Sequence, residues 1–491
     1  FTASAGDARS ANYGTRYNND GMAAKPGWST LQINLTGLVR SNSNNFHQQE
    51  SLDAKQLTFL KLFICPHTRK APIVLYFDDV RLEGNGLPAV EGLRAFDFGP
   101  SKSAVMPGFT GVHENTKYSS ERGYGWLGGV NWHRRPSNPD DLGGDFGSGD
   151  AFQVDLKSGP GAYVVEMCID SFGEWQSGQH FTKRSVELNG KTVFEEALDG
   201  PGWLKQRYLA FEDDEDTPGM DLWEKHVKPF MPVRRFEAEV GADGKLVVKV
   251  ASTGGWPGIM SFLVAYPKAK EAEGQGFMQA LEKLRAEAFR NEVALNVPKP
   301  DREPPKPAAE EQRNGFIAFV RSTEENIPFT SVPAANERGA PIELSACPGE
   351  RTAAQVGLFP LNVLDGVTLT AGELLGPGGA KIPAAAITLR KIRNFAKRGG
   401  GGNAGALVPL LLQPLGRLKL EPGLTRGVWL TLKVPDDAKP GAYTGALTVA
   451  GGGHEHKMPL KLAVLPFTLD QAGDIVISCT GTTAGHWRGK Y

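Results

Sequence analysis

Short segments in which apolar and polar residues alternate recur along this chain, and turn-forming residues separate them. Residues 28–40, 57–65 and 73–82 alternate in this way, and residues 162–169 and 245–251 do so again. Alternation with a period of two is typical of half-buried strands. The 60 glycines and 34 prolines among 491 residues favour tight turns over long helices. We therefore predict a mainly β protein of tandem antiparallel β-sandwich domains, and the length favours about three domains.

The charge and cysteine content exclude several classes of protein. A formal net charge of −1 gives no attraction for nucleic acid, and no apolar run approaches the ~18 residues of a membrane span. No CxxC motif or Cys/His spacing is present, which favours buried free thiols over zinc ligands as the interpretation of the cysteines. These cysteines are Cys65, Cys168, Cys347 and Cys479. The chain starts at Phe1 without a signal-peptide pattern, as a mature secreted protein or a fragment would.

Residues 1–87 are predicted to form a first, abbreviated sandwich. Their last segment reads VLYFDDVRLEG, which resembles the final strand of jelly-roll carbohydrate-binding modules. Asp78 and Asp79 point to opposite faces of such a strand, so at most one of them joins a given site. Carboxylate oxygens suit a structural Ca²⁺, which makes this pair a candidate metal site. A turn or salt-bridge role is the alternative.

Residues 88–270 are predicted to form a second sandwich. The stretch FDFGPSKSAVMPGFTGVHENTKYSSERGYGWLGG, followed by DAFQVDLKSGPGAYVVEMCIDS, resembles galactose-binding-like modules attached to pectin-degrading enzymes. LNGK and ADGK later in this region are turn signals between two strands. Residues 198–232 depart from the pattern and are interpreted as an insertion with a short helix. Its acidic run, residues 212–216, is expected to be a solvated loop rather than a cation site.

Residues 271–314 are predicted to be a helix followed by a linker. Apolar residues recur every three or four positions along residues 277–293, with charged residues between them. The segment PKPDREPPKPAAEEQRN that follows is rich in proline and charge, which favours an extended polyproline II linker. A domain boundary is expected there.

Residues 315–469 are predicted to form a third sandwich. The segment RGVWLTLKVPDDAKPGAYTGALTVAGGGHEHKMPLKLAVLPFTL resembles the N-terminal domain of family 123-type glycoside hydrolases. Glu350, Gln355 and Gly366 match positions of an earlier strand pattern in that family. The resemblance implies that a catalytic (β/α)₈ barrel follows LPFTL in family members. Residues 470–491 are too few for a barrel and are interpreted as a tail or as its first strand.

No motif in the sequence nominates a catalytic site. GxSxG is absent, FGSGD at residues 146–150 lacks its spacing, and HEH at residues 454–456 is interpreted as an idle histidine pair. The resemblances therefore imply non-catalytic modules.

Carbohydrate binding has better candidates, because sugar rings stack on flat aromatic side chains and flanking polar groups bind the hydroxyls. Two loops concentrate such residues, and packing inside the protein is the alternative for each. Tyr124 and Trp126 in particular have a structural alternative, whereas Trp28 and Trp256 are interpreted as core residues. The candidates are Trp132, His133, Arg134, Tyr124, Trp126, Trp175, Gln176 and His180.

Two functions follow from these observations. The first is the carbohydrate-binding and scaffolding portion of a secreted, glycoside hydrolase-like protein, with a polysaccharide or glycan as its partner. The second is a structural subunit of an extracellular surface layer or fibre that self-associates through sheet edges. Both predict an extracellular or periplasmic protein with no cofactor besides the candidate calcium.

Overall fold

The protein is described by a computed structural model. The described residues are 2–6, 17–19, 39–40, 59–63, 86–100, 103, 105–134, 142–172, 178–208, 216–398 and 404–469. Contacts divide the chain into two compact units. Unit 1 comprises Phe1–Glu212, Asp221–Ala294 and Gly400–Asn403, and unit 2 comprises Asp213–Met220, Leu295–Gly399 and Ala404–Tyr491.

The first part of unit 1 contains a four-stranded antiparallel sheet with the strand order β3-β2-β1-β4. Its strands are β1 (Thr2–Gly6), β2 (Tyr17–Asn19), β3 (Val39–Arg40) and β4 (Phe59–Phe63). Strand β4 lies within the alternating segment 57–65. Residues 73–82, with Asp78 and Asp79, lie outside the described residues, and the jelly roll stays a prediction.

The larger part of unit 1 is a sandwich of two five-stranded sheets. One sheet has the order β13-β12-β15-β10-β7, and the other has the order β14-β11-β16-β5-β6, while β8 and β9 pair separately. The strands are β5 (Arg94–Phe98), β6 (Thr110–Val112), β7 (Tyr124–Trp126), β8 (Val130–Arg134), β9 (Asp145–Gly149), β10 (Phe152–Asp155), β11 (Gly161–Cys168), β12 (Lys183–Leu188), β13 (Lys191–Ala197), β14 (Arg234–Val240), β15 (Lys245–Thr253) and β16 (Phe262–Pro267).

Both faces of strands β11 and β16 are buried, although the alternation at residues 162–169 predicted a half-buried β11. Leu263 and Ala265 point into the core between the sheets. Phe262 and Tyr266 lie on the other face, under a helix that extends over Glu271–Glu292. This helix is the one predicted around residues 277–293, and it packs on unit 1 instead of standing in a linker.

Among the described residues, three shorter α-helices accompany the long one, which is α3 in chain order. The helices are α1 (Gly200–Trp203), α2 (Lys228–Phe230), α3 (Glu271–Glu292) and α4 (Ala309–Asn314). A π-helical turn, Leu204–Tyr208, continues α1, and a second one, Trp223–Val227, precedes α2. The second turn agrees with the short helix predicted in the insertion.

The two predicted turns of unit 1 have different surroundings. Asn189 and Gly190 both have positive φ and join β12 to β13 as a tight hairpin. The turn at Gly244 joins β14 to β15, which belong to opposite sheets. ADGK is therefore a connection between sheets. A turn motif reports the local backbone path, and the sheet that receives the next strand depends on packing.

Unit 2 is a sandwich of a six-stranded and a seven-stranded sheet. The orders are β17-β25-β24-β27-β20-β18 and β19-β29-β28-β21-β26, with β22 and β23 attached to the second sheet. The strands are β17 (Ala294–Asn296), β18 (Phe316–Arg321), β19 (Ile342–Ala346), β20 (Arg351–Pro360), β21 (Leu364–Ala371), β22 (Leu374–Leu375), β23 (Lys381–Ile382), β24 (Ile387–Arg398), β25 (Ala404–Pro414), β26 (Leu418–Leu420), β27 (Arg426–Lys433), β28 (Gly441–Gly451) and β29 (His454–Val464).

The same four residues, Pro-Gly-Ala-Tyr, begin a strand in each unit. Gly161 and Gly441 have φ of 142° and 135°, a backbone that favours glycine. The buried Tyr163 donates its hydroxyl hydrogen bond to the Gly159 carbonyl at 2.8 Å. Tyr443 donates to the Lys439 carbonyl in the same way at 2.9 Å. Both are tyrosine corners, which fasten the turn before a strand to the sandwich core.

The fold class is confirmed as mainly β, with tandem sandwiches and few helices. Cys168 and Cys347 are buried free thiols, as predicted, while Cys65 and Cys479 lie outside the described residues. Asp216, which was expected in a solvated loop, is instead fully buried and accepts a hydrogen bond from the Ala396 amide at 2.7 Å. None of the described helices combines the length and apolar character that crossing a bilayer requires.

Candidate carbohydrate site

Two segments that carry predicted residues, β8 and the segment around His180, reach one end of the unit 1 sandwich. Strands β11 and β15 finish at this end, and β12 and β16 begin there. Gly147 of β9 forms a bridge with Met260, just before β16, so the β8–β9 pair also reaches this end.

An aromatic cluster, which we define as His180, Phe181, Trp203 and Trp256, lies at this end. The His180 ring centroid is 4.5 Å from that of Trp203 in an edge-to-face arrangement and 5.7 Å from that of Trp256. Phe181 packs edge to face on Trp203 at 5.1 Å. Trp203 and Phe181 are buried, whereas His180 and Trp256 are half-buried. The cluster therefore has a buried floor and a partly accessible upper layer.

The loop that carries Trp256 is shaped by glycine. Gly254 has a φ of +77°, and a Cβ on it would lie 2.1 Å from the Thr182 hydroxyl. A Cβ on Gly255 would lie 2.4 Å from the His180 carbonyl, which accepts a 2.8 Å hydrogen bond from the Trp256 amide. The backbone of this loop thus packs tightly against the His180 segment. Trp256 belongs to this loop and is half-buried, which corrects its interpretation as a core residue.

The first predicted loop contains a strand, β8. In its register, Trp132 lies opposite Gly147, His133 opposite Phe146 and Arg134 opposite Asp145 of β9. The Phe146 ring in turn packs on Trp256 at 6.2 Å. The chain therefore brings β8 to the same end of the sandwich as the aromatic cluster.

Tyr124 and Trp126 belong to the sandwich itself. Trp126 is 2% exposed and packs on Phe98 and Phe152 at 5.4 and 5.7 Å, so its ring offers no face to a ligand. Tyr124 is half-buried against Phe96 at 5.2 Å. Trp126 therefore takes the structural alternative given for it, whereas Tyr124 stays a candidate. Trp175 and Gln176 lie outside the described residues.

A buried ionic cluster of three arginines and two carboxylates lies beside the aromatic cluster. Asp170 is 4% exposed and accepts hydrogen bonds from Arg184 at 2.8 Å, Arg207 at 3.3 Å and Arg234 at 2.8 Å. Glu196 accepts from Arg184 at 2.7 Å and from Arg207 at 3.0 Å. These five residues come from the ends of β11, β12, β13 and β14 and from the predicted insertion.

The arginines keep both carboxylates ionised. Burial opposes ionisation, but the neighbouring guanidiniums outweigh it and hold the pKa of Asp170 far below its usual range. The pKa of Glu196 is lowered in the same way, chiefly by Arg184 and Arg207 against the effect of burial. For Arg184, burial is again opposed by Asp170 and Glu196, and the pKa is raised.

The two clusters are continuous. The Arg184 guanidinium lies 4.3 Å from the centroid of the Phe181 ring, a cation–π contact. Trp203 and Arg207 are four residues apart on successive helical turns, so one segment contributes to both clusters. Sequence reasoning missed the ionic cluster, since its members are scattered between residues 170 and 234. For the Trp256 loop, the sequence did offer a signal, because Gly254 and Gly255 directly before Trp256 indicate a tight turn.

In unit 2, the positions matched to the family have structural roles. Glu350 accepts hydrogen bonds from the Cys347 amide at 2.9 Å and the Cys347 thiol at 3.2 Å, which closes the turn before β20. Gln355 donates its side-chain amide to the carbonyls of Ser322 and Glu325. Gly366, with a φ of +72°, occupies an irregularity in β21. Each of the three residues thus stabilises a turn, a backbone segment or a strand irregularity of the sandwich.

Metal binding has no support in the described residues. Within these ranges, no group of three or more His, Cys, Asp or Glu side chains is placed to hold an ion. One histidine of the HEH segment, His456, contacts a carboxylate: its ring nitrogen Nδ1 lies 3.4 Å from Oε1 of Glu310.

Comparison with known proteins concerns unit 2 most directly. Residues 329–451 match the glycoside hydrolase 123 N-terminal domain family, which confirms the predicted resemblance to such modules. No curated protein sequence matches the chain.

Solved structures match parts of the chain. A family 123 glycoside hydrolase from Clostridium perfringens is 17% identical over 31% of this chain, with a TM-score of 0.27. The protein YXIM from Bacillus subtilis is 19% identical over 36% of this chain and 40% of its own, with a TM-score of 0.24. A β-glucuronidase from Bacteroides uniformis is 10% identical over 36% of this chain and 18% of its own, with a TM-score of 0.22. The chain spans 27% of the length of the family 123 enzyme.

Proposed function

We propose that this chain is the carbohydrate-binding and scaffolding portion of a secreted, glycan-degrading protein. The match of residues 329–451 to the glycoside hydrolase 123 N-terminal domain family carries the proposal, because it associates the chain with glycan processing. Unit 1 adds a candidate glycan-binding site, the aromatic cluster at one end of its sandwich. Each sandwich would then hold the glycan or shape its approach to chemistry carried out elsewhere.

The aromatic cluster supports the choice of ligand. A pyranose presents apolar C–H groups on one face, and a half-buried indole such as that of Trp256 can stack against them. His180, beside it, has ring nitrogens that can bind a hydroxyl. The tight glycine loop fixes the Trp256 backbone before any ligand arrives, which lowers the entropic cost of binding.

The test is binding to a glycan array and to insoluble polysaccharides, followed by titration of the best ligand. Trp256→Ala should lower its affinity by about thirtyfold, since a central aromatic anchor contributes about 2 kcal/mol. Trp429→Ala is the matched control, because Trp429 is a half-buried tryptophan on β27 of unit 2. A Trp256→Ala affinity equal to that of the wild type would exclude Trp256 from the site, and a wild-type chain that binds no glycan would refute the proposal.

The same proposal includes secretion. Fractionation of the source organism should recover the protein outside the cytoplasm, with the polysaccharide it binds. Recovery in the cytoplasmic fraction would contradict this part of the proposal.

A further inference from the structure

One segment of the predicted insertion, residues 198–208, links the ionic cluster to the aromatic cluster. We propose that this segment is a positioning element of the carbohydrate site, in which Arg207 anchors Trp203, and Trp203 sets the place of His180. The proposal rests on the proposed function, because it assumes that the aromatic end of unit 1 holds the glycan. It assigns the position of the His180 ring to residues beneath the site that do not touch the sugar.

The anchor is Arg207, which is 6% exposed. Its guanidinium donates to Asp170 at 3.3 Å, to Glu196 at 3.0 Å and to the Phe230 carbonyl at 3.0 Å. These acceptors lie after β11, in β13 and in α2, so Arg207 ties the segment to three separate elements. A paired buried guanidinium is costly to displace, because the partners would keep their desolvated charges.

The floor of the aromatic cluster is Trp203, which is 4% exposed. Its ring supports His180 at 4.5 Å and Phe181 at 5.1 Å. Asp199 caps the turn by accepting from the Gly202 amide at 2.7 Å. The Gln179 side chain donates to the Leu198 carbonyl at 2.9 Å, which ties the His180 segment to the start of the insertion.

This segment cannot position Trp203 through its own stability. Helix α1 and the π-helical turn together cover Gly200–Trp203 and Leu204–Tyr208, which is too short for a stable isolated helix. Its placement therefore depends on tertiary contacts, among which the ion pairs and hydrogen bonds of Arg207 reach three separate elements. Loss of these contacts should release Trp203 and let the His180 ring reorient.

The test compares Arg207→Met with Arg235→Met. Arg235 lies next to Arg234 on β14, but its ion pairs with Glu237 and Glu271 are exposed. The first readout is the ¹H–¹³C resonances of the His180 ring, assigned with His180→Gln, because the Trp203 indole imposes a ring-current shift at this distance. The second readout is affinity for the glycan found with the wild-type chain.

Arg207→Met should move the His180 resonances and weaken binding by about tenfold, the size of one aromatic pair contribution, whereas Arg235→Met should change neither. Trp203→Phe provides a second variant that keeps an aromatic floor, and it should move the same resonances. If both variants fold and leave the His180 resonances and the affinity unchanged, the segment is not a positioning element. If the wild-type chain binds no glycan, the proposed function fails, while the His180 resonances still decide whether the segment positions the ring.

Discussion

Replacement of Asp170 by asparagine is the sharpest perturbation of the candidate site. The carboxylate accepts hydrogen bonds from three arginines within 3.3 Å and is 4% exposed. Asparagine has almost the same shape but carries no charge. The substitution therefore leaves two buried guanidiniums, those of Arg184 and Arg207, and the half-buried one of Arg234 opposite the single carboxylate of Glu196.

The cost follows from this imbalance. Breaking a buried ion pair by removing one partner costs about 3–5 kcal/mol, because the remaining charge stays desolvated. Glu196 still neutralises one guanidinium, and the asparagine oxygen can still accept a hydrogen bond. We therefore expect the lower end, a loss of about 3 kcal/mol in the free energy of unfolding of unit 1.

The assay is native-state hydrogen exchange of the β11 amides at neutral pH, which reports the stability of the unit that contains Asp170. Asp221→Asn is the matched control. Asp221 pairs with Arg290, and their side chains are 40% and 44% exposed, so this variant should change stability by less than about 1 kcal/mol. Asparagine also keeps the cap that Asp221 provides to the Trp223 amide.

The difference between wild type and Asp170→Asn should also depend on pH. The pKa of Asp170 is lower in the folded state than in the unfolded chain, so its contribution is fully present above the unfolded pKa of about 4 and declines below it. A loss below about 1 kcal/mol at neutral pH, or a difference that grows as the pH falls below ~4, would refute this account of the cluster.

Two further predictions concern the sandwiches. Replacing either corner tyrosine by phenylalanine, in Tyr163→Phe or Tyr443→Phe, should lower the free energy of unfolding by about 1 kcal/mol, the value of one hydrogen bond. Hydrogen exchange should show the loss only in the unit that carries the substitution. A single substitution that destabilises both units equally would contradict this expectation. Gly274→Ala should destabilise unit 1 by about 1–3 kcal/mol despite better helix propensity, because its Cβ would lie 2.4 Å from the buried Tyr266 ring. Gly276→Ala in the same helix should stabilise unit 1 by about 0.5–1 kcal/mol in thermal unfolding, because a Cβ there meets open space. If both alanine variants stabilise or both destabilise unit 1, packing around the helix does not determine the effect.

Much of the architecture was predictable because it depends on local patterns. The alternation at residues 162–169 predicted β11, and the spacing of apolar residues around Leu281 predicted α3. The Asn189–Gly190 pair predicted a tight hairpin, because both residues tolerate positive φ. The family pattern before LPFTL likewise identified the unit that matches the glycoside hydrolase 123 N-terminal domain.

Other features depended on which elements meet in space. The turn at Gly244 changes sheets, and α3 covers one face of a sheet in unit 1. Asp216 looked solvated within an acidic run, yet it is buried, because a backbone amide distant in sequence supplies its partner.

The sequence alone therefore determined that this chain forms successive β-sandwiches with candidate aromatic residues for sugars, since strand alternation, turns and aromatic content are local properties. Tertiary structure decided which aromatic residues share a surface. It buried Trp126, brought Trp256 beside His180, and placed both next to a five-residue ionic cluster. The reason is physical: packing and charge pairing depend on distances between elements, and residues 170 and 234 become neighbours only after β11 and β14 pair.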